Sequence, residues 1–298
     1  MRLATLIWLV VLSSLLSSLE ASAATYFLST TGNDTADGTT SATAWRTFPY
    51  AVKQLTPGDL LLVEPGTWTS EDGGVLDATC PSLAQNGTPD GGTNTVRSML
   101  ERQAHIVSNG PLPAAHINGC SHWSLEGLFL ERHDFESPAN VTSTARVNNS
   151  HWILLRRVLT LWNNRTINNP AIEVDTSSDV LVEDCEMYDF SKNGLNVSES
   201  TDVVVRRCYA NQRDRLSIDG GQEIHSTAFF ENGTNTLFEN NVAEGVDRGY
   251  FYGFYDSSNN GRYLGLISMF GRHGFLVQRQ YAGADNNIIE NFVSFPPQ

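Results

Sequence analysis

A six-residue pattern returns throughout the second half of the chain and limits what it can fold into. Trp123-Ser124-Leu125-Glu126-Gly127-Leu128 opens the series. Copies begin again at Ile153, Val180, Val203, Thr236 and Asn287, each an apolar-rich triplet followed by charged or amide residues. Their starts are 30, 27, 23, 33 and 51 residues apart, and Arg262-Tyr263-Leu264 stands where the longest interval needs one more copy. A second column runs in step with the first: Ile172-Glu173-Val174, Leu195-Asn196-Val197, Leu216-Ser217-Ile218, Phe251-Tyr252-Gly253 and Phe275-Leu276-Val277. Each triplet alternates in the two-residue period of a strand with one buried face, and Gly, Asn or Asp turns precede most of them. Several short strands per period of 20 to 35 residues, without helices, predict an all-β solenoid in which each coil buries its apolar face on the next.

The segment before the repeats has a fixed order of its own. Tyr26-Phe27-Leu28-Ser29 leads to Gly32-Asn33-Asp34, Asp37-Gly38, Trp45-Arg46-Thr47-Phe48, Pro57-Gly58-Asp59 and Pro65-Gly66-Thr67-Trp68. Phe48, Ala51, Val52 and Leu55 share one face of a short helix, which would cover the open edge of the first coil. Together with the repeats, this stretch resembles the N-terminal part of the pectate lyase-like right-handed parallel β-helix superfamily, which includes pectate lyase-type and chondroitinase B-type polysaccharide lyases. The resemblance implies a right-handed single-stranded parallel β-helix over nearly the whole chain. Members of that superfamily include lyases, glycoside hydrolases, uronate epimerases and proteins without catalysis, so it implies a polysaccharide ligand more firmly than one reaction.

Residues 1–23 carry the marks of an export signal. Arg2 precedes the apolar run Leu6-Ile7-Trp8-Leu9-Val10-Val11-Leu12, and Ala21-Ser22-Ala23 offers small residues for cleavage. Residues 24–298 then form one domain, secreted outright or delivered to a periplasm or cell surface, with no membrane span in the mature chain. A formal net charge of −14 with 19 Lys+Arg argues against nucleic acid and against anionic lipid. Sequons at Asn33, Asn86, Asn140, Asn148, Asn164, Asn196 and Asn232 are compatible with glycans or with the amides common in β-solenoid turns. The chain stops at Phe295-Pro296-Pro297-Gln298 with no closing cap after the last repeat, which predicts a domain without its C-terminal end.

In the second column the residues between the buried ones face outward and stack about 5 Å apart from coil to coil. Those are Glu173 and Asp175, Asn196 and Ser198, Ser217 and Asp219, Tyr252 and Phe254, then Leu276 and Gln278. Glu173, Asp175 and Asp219 could gather around a calcium ion, with Lys192, Arg213 or Arg215 as the base that removes an acidified C5 proton of a uronate and Asp219 beside it. Lyases of the resembled superfamily work in this way. Tyr250, Tyr252 and Phe254 could stack on sugar rings, with Asn196 as a further contact. Asp175 with Asp219 equally suits a glycosidase, assisted by His225 or His273. A non-catalytic domain that binds glycan or a surface partner is the other open reading. Nucleophile triads, zinc pairs of the C-x-x-C type and phosphate loops are missing from the sequence. Cys185 and Cys208 occupy equivalent repeat positions, which predicts contact with the bond left open. Cys80 and Cys120 form a weaker candidate pair.

Overall fold

The computed structural model describes residues 23–80, 86–89, 92–133, 143–162, 170–190, 192–212, 218–219, 222–223, 226–245, 251–270, 273–277 and 286–295. Successive coils each lay down three short strands, and like strands pair in parallel from coil to coil, which makes three columns, A, B and C. Ala145–Asn148, Ile172–Asp175 and their equivalents make column A. His151–Arg156 and Ser178–Glu183 belong to column B, and Leu159–Trp162 and Glu186–Tyr188 to column C. The 14-residue strand Asn193–Arg206 runs through A and B, so these two columns count as one 17-stranded sheet, while C is a nine-stranded sheet.

Sharp corners close each coil, and Asn or Asp takes several of the left-handed positions there. At the A–B corner Asn149, Thr176 and Glu199 take positive φ, and at the B–C corner Arg157, Asp184, Arg207 and Asn240 do so. Short polar side chains tolerate this left-handed region better than most. The corner N–H groups find partners on a ladder of hydroxyls: Cys120 donates to Ser150 Oγ, Ser150 to Ser177 Oγ and Ser177 to Ser200 Oγ, each at 3.0–3.1 Å. Buried amides are thereby satisfied where strand pairing stops.

Like residues stack inside the tube. Trp123, Ile153, Val180 and Val203 pair coil to coil. Arg262-Tyr263-Leu264 supplies the coil between Leu237 and Ile288, so the first repeat column is in its expected register. The second column is not wholly so. Leu195 pairs with Phe229, not with a residue of the 216–218 triplet, and Phe229 pairs with Phe254, not Phe251. Ile218–Asp219 instead forms an antiparallel two-residue ladder with Gln222–Glu223, a hairpin inserted between coils, which spacing alone cannot distinguish from a coil strand.

The N-terminal motif is structural. Asp34 accepts from the N–H groups of Arg46 and Thr47, and buried Asp59 from those of Ala24 and Thr56. Gly38, at φ 71°, lies where a Cβ would be 2.3 Å from the Trp45 ring, so only glycine fits. The helix Phe48–Gln54 begins at a Thr47 cap and buries Phe48, Ala51 and Val52. It packs beside Leu76–Thr79, the first strand of column A, and covers that open edge as anticipated. Ile288, Ile289, Val293 and Phe295 of the last described coil are 42–50% exposed.

Cys80 and Cys120 end successive A strands and are joined by a disulfide with Cα atoms 5.1 Å apart. Cys185 and Cys208 end successive B strands as free, buried thiols, with the Tyr209 N–H donating to Cys185 O at 2.9 Å. Burial, then the adjacent Cys185, pushes the Cys208 thiol well up, so the pair packs as small apolar groups in contact. The disulfide closes a loop with a sequence separation of 40. Changing both Cys80 and Cys120 to Ala should therefore cost about 4 kcal/mol by the loop-entropy relation. Urea unfolding of the two proteins measures this, and equal midpoints would refute it.

Candidate functional site

The three outer faces differ in how much chemistry they leave available. Face B carries a ladder of alternating charge in which Glu183 receives Arg156 at 2.5 Å, Arg206 at 2.7 Å and Arg207 at 2.9 Å. Glu183 is itself buried, so this cluster is spent on holding coils together. Face C ties its charged groups to one another or to neighbouring side chains: Glu131 lies between His105, at 2.7 Å, and His133, at 2.8 Å, Glu186 receives Arg102 at 2.7 Å, and Glu244 accepts from Tyr209 and Asn211.

Face A is different. Its strands place Asp77, His116, Arg146, Glu173, Asn196, Phe230 and Tyr255 in one outward row, each residue from the next coil. Thr79, Asn118, Asn148, Asp175, Ser198 and Asn232 form the parallel row two residues along. The rows follow from strand alternation: Ala145, Val147, Ile172, Val174, Leu195 and Val197 point inward and are buried, which leaves the residues between them outside.

Within this face the groups are oriented by one another. His116 Nδ1 lies 3.0 Å from Asp77 Oδ1, and Nε2 lies 2.8 Å from Asn148 Oδ1. The Asn148 amide donates in turn to Asn118 Oδ1 at 3.0 Å. The hydrogen bond from His116 holds the Asp77 carboxyl below its ordinary value, so Asp77 stays an acceptor that fixes the ring. One coil on, Arg146 Nε approaches Glu173 Oε2 at 3.2 Å and a terminal nitrogen approaches Asp175 at 3.1 Å. Burial raises the Glu173 carboxyl above the usual range, opposed by Arg146 and, more weakly, by Lys192. Lys192 is exposed and lies within Glu173's field. Phe230 and Tyr255 continue the row with rings stacked at 4.9 Å.

A family model described as the right handed beta helix region matches residues 143–294, just over half of the sequence. The chain belongs to the right-handed β-helix family. No curated protein sequence matches it. Among solved structures, a glycoside hydrolase is similar at 8% identity with a TM-score of 0.61, covering 93% of this chain and 97% of the other. Pectin methylesterase PemA from Erwinia chrysanthemi is similar at 10% identity with a TM-score of 0.50, covering 91% and 80%. A rhamnogalacturonan lyase is similar at 13% identity with a TM-score of 0.48; this chain is covered over 92% and spans 62% of that protein's length. The family model, with the glycoside hydrolase and pectin methylesterase likenesses, establishes the right-handed parallel β-helix fold.

Measured on this β-helix, the sequence-predicted residues separate clearly. Glu173, Asp175 and Asn196 share face A as expected, with Lys192 at its edge. Asp219 does not join them, because it belongs to the inserted hairpin and not to a coil strand. Phe254 points inward, 1% exposed and stacked on Phe229 at 5.1 Å; the true outward neighbour is Tyr255. Tyr252 pairs with Thr227 and His273 through its backbone, and the side chains of Tyr252 and His273 lie outside the described residues. Arg213, Arg215, Tyr250, Ser217 and His225 also lie outside them.

The calcium arrangement does not fit the described residues. With Asp219 elsewhere, Glu173 and Asp175 remain, and Arg146 already bridges them with a fixed positive charge that a cation would have to displace. Among the described residues no three His, Cys, Asp or Glu side chains converge as metal ligands, and no helix is long and apolar enough to cross a membrane. Sequence reasoning missed Asp77, His116, Arg146, Phe230 and Tyr255. The signal was present in Leu76-Asp77-Ala78, Ala115-His116-Ile117 and Ala145-Arg146-Val147, whose small Ala residues weaken the alternation. The sequons Asn148, Asn196 and Asn232 stand on face A, while Asn86 is buried and accepts from the Ser121 N–H at 2.9 Å.

Proposed function

We propose that the chain is an exported enzyme that cleaves a uronate-containing polysaccharide by β-elimination along face A. One observation carries this reading: consecutive coils set a carboxylate-oriented imidazole, His116 on Asp77, beside a guanidinium, Arg146, within a row of amides open to an extended polymer. A uronate carboxylate placed against Arg146 has its charge compensated, which stabilises the enolate that forms when C5 loses its proton. With Nδ1–H directed at Asp77, the ring nitrogen that takes this proton is Nε2, which requires the bound sugar to displace the Asn148 side chain, whose acceptor oxygen lies 2.8 Å from it. The electrons of the C5–H bond become the C4=C5 double bond, and the C4–O bond to the next sugar breaks. The leaving oxygen takes a proton from Glu173, whose burial keeps it protonated to higher pH than an ordinary carboxylate.

The leader sequence and the Cys80–Cys120 disulfide both suit an oxidising compartment outside the cytosol. The names of the similar solved structures, a glycoside hydrolase, a pectin methylesterase and a rhamnogalacturonan lyase, are in keeping with a sugar polymer as ligand.

The test is incubation of the mature chain with polygalacturonate, alginate and chondroitin sulfate, with and without a chelator. The expected result is ultraviolet absorbance of an unsaturated product on at least one polymer, unchanged by chelation. New reducing ends without that absorbance would replace elimination by hydrolysis. Binding without any product would leave a glycan-binding domain in place of an enzyme.

A further inference from the structure

Trp152 occupies a backbone conformation that its own repeat shows to be unsuited to it. Equivalent corner positions in other coils hold Asp179, Asp202, Asn235 and Asn260, all at φ between 54° and 58°. Asp and Asn tolerate this left-handed region because their short polar side chains bond locally. In two adjacent coils the position is instead His122, at φ 55°, and Trp152, at φ 54°. A bulky aromatic at positive φ is strained, and such strain persists where the surroundings or a function demand it. Packing does not demand it here, because Trp152 is 49% exposed.

The two rings are arranged as a unit. Trp152 and His122 lie 4.4 Å apart between centroids with a 33° tilt, and His151 stands edge-on to the indole at 4.7 Å. His122 is backed by Gly87, where an added Cβ would come 2.6 Å from the His122 Cβ. Burial, with neighbouring His151, holds the His122 imidazole below its ordinary value, so it supports the indole as a neutral ring. The platform lies four residues beyond the face A amides in each coil: Asn118 precedes His122 and Asn148 precedes Trp152. A polymer crossing those amides therefore meets an exposed aromatic face flanked by two imidazoles.

We infer that Trp152, supported by His122 and flanked by His151, is a stacking subsite for a pyranose ring of a polysaccharide lying across the A–B corner. An indole offers the flat apolar surface that a sugar's C–H face covers, and the imidazoles offer hydrogen-bonding nitrogens at its rim. The inference rests on the polysaccharide reading of face A but needs no catalysis.

Its test uses Trp152→Asn, which installs the residue type found at Asn235 and Asn260. Binding of the mature chain to polygalacturonate, alginate and chondroitin sulfate is measured by calorimetry, together with thermal unfolding. The substitution should raise Kd about tenfold, the loss typical of a well-placed aromatic anchor, while Tm stays level or rises as the strain is relieved. Unchanged affinity would overturn the subsite, and so would a fall in Tm that accounts for the weaker binding, since Trp152 would then be a packing residue. If Trp152→Asn weakens binding but the wild type yields no product, elimination fails and the subsite stands. If product forms and Trp152→Asn binds normally, the reverse holds. A wild type that binds none of the three polymers overturns both.

Discussion

Replacing His116 with Ala should lower kcat by about 10²- to 10⁴-fold, the contribution usual for a positioned acid–base group, while the β-helix unfolds at nearly the same temperature. The stability half follows from placement. His116 is outside the tube on face A, and the groups it touches, Asp77 and Asn148, are part-exposed and remain hydrated when it is removed. The activity half follows from geometry: Asp77 anchors one nitrogen, and the other lies one coil from Arg146. Asp77→Asn keeps the ring but misdirects its tautomer, so it should also reduce kcat, though less than removal of the ring. The measurement is kcat on whichever polymer the wild type cleaves, with circular dichroism as the folding control. Wild-type kcat in a folded His116→Ala protein would exclude the elimination mechanism.

Glu231→Gln should remove a pH dependence of stability worth about 3 kcal/mol. Glu231 occupies an inward position of column A, 1% exposed, in the row where earlier coils have Val174 and Val197. Its carboxyl accepts from Tyr263 Oη at 2.9 Å and from the Gly233 N–H at 2.6 Å. The next coil puts Asp256, wholly buried, directly beside it. Asp256 is held by the Ser258 N–H at 2.8 Å and by Asn287 at 2.6 Å. Burial first, with the Asp256 charge adding to it, pushes Glu231 up to about 7 from 4.5.

A folded value raised above the unfolded one sets the sign. The Glu231 contribution is fully present below pH 4.5, where both states are protonated, and is lost as pH rises toward 7 and the unfolded chain alone ionises. A shift of that size corresponds to about 3 kcal/mol. Gln keeps the size and an acceptor oxygen without the charge. The variant should match the wild type near pH 4.5 and exceed it near pH 8, read as the difference in urea midpoints between the two pH values. A constant offset at both would mean that Glu231 is ionised throughout.

The repeat column from Trp123 to Asn287 was legible from sequence because every coil must bury the same face on its neighbour, so apolar residues recur in register. The capping helix was legible for the same reason, since Phe48, Ala51 and Val52 have one apolar stripe to bury. Contact between Cys185 and Cys208 followed directly from their equivalent positions. Cys80 and Cys120 offered no such signal: Thr79 pairs with Asn118, so Cys80 stands opposite Gly119 and the bonded pair is offset by one residue. Face A was half visible: Glu173, Asp175 and Asn196 lie between strong apolar neighbours, whereas His116 and Arg146 follow alanines.

Other positions depended on which segments enter the coil. The 218–223 hairpin displaced Asp219 from the face, and a three-residue difference in register turned Phe254 inward. Local alternation states that neighbouring residues face opposite ways but not which of them is inside; that choice is made by pairing with the coil below. The same pairing buries Glu231 and Asp256, carboxylates that no pattern would assign to a core, and keeps Trp152 at a corner meant for Asp or Asn. The sequence by itself determined that this chain winds into a β-helix, because repeated apolar faces have no other common way to be buried. Only the tertiary structure decided which charged groups share a face, because that depends on loops whose length carries no register.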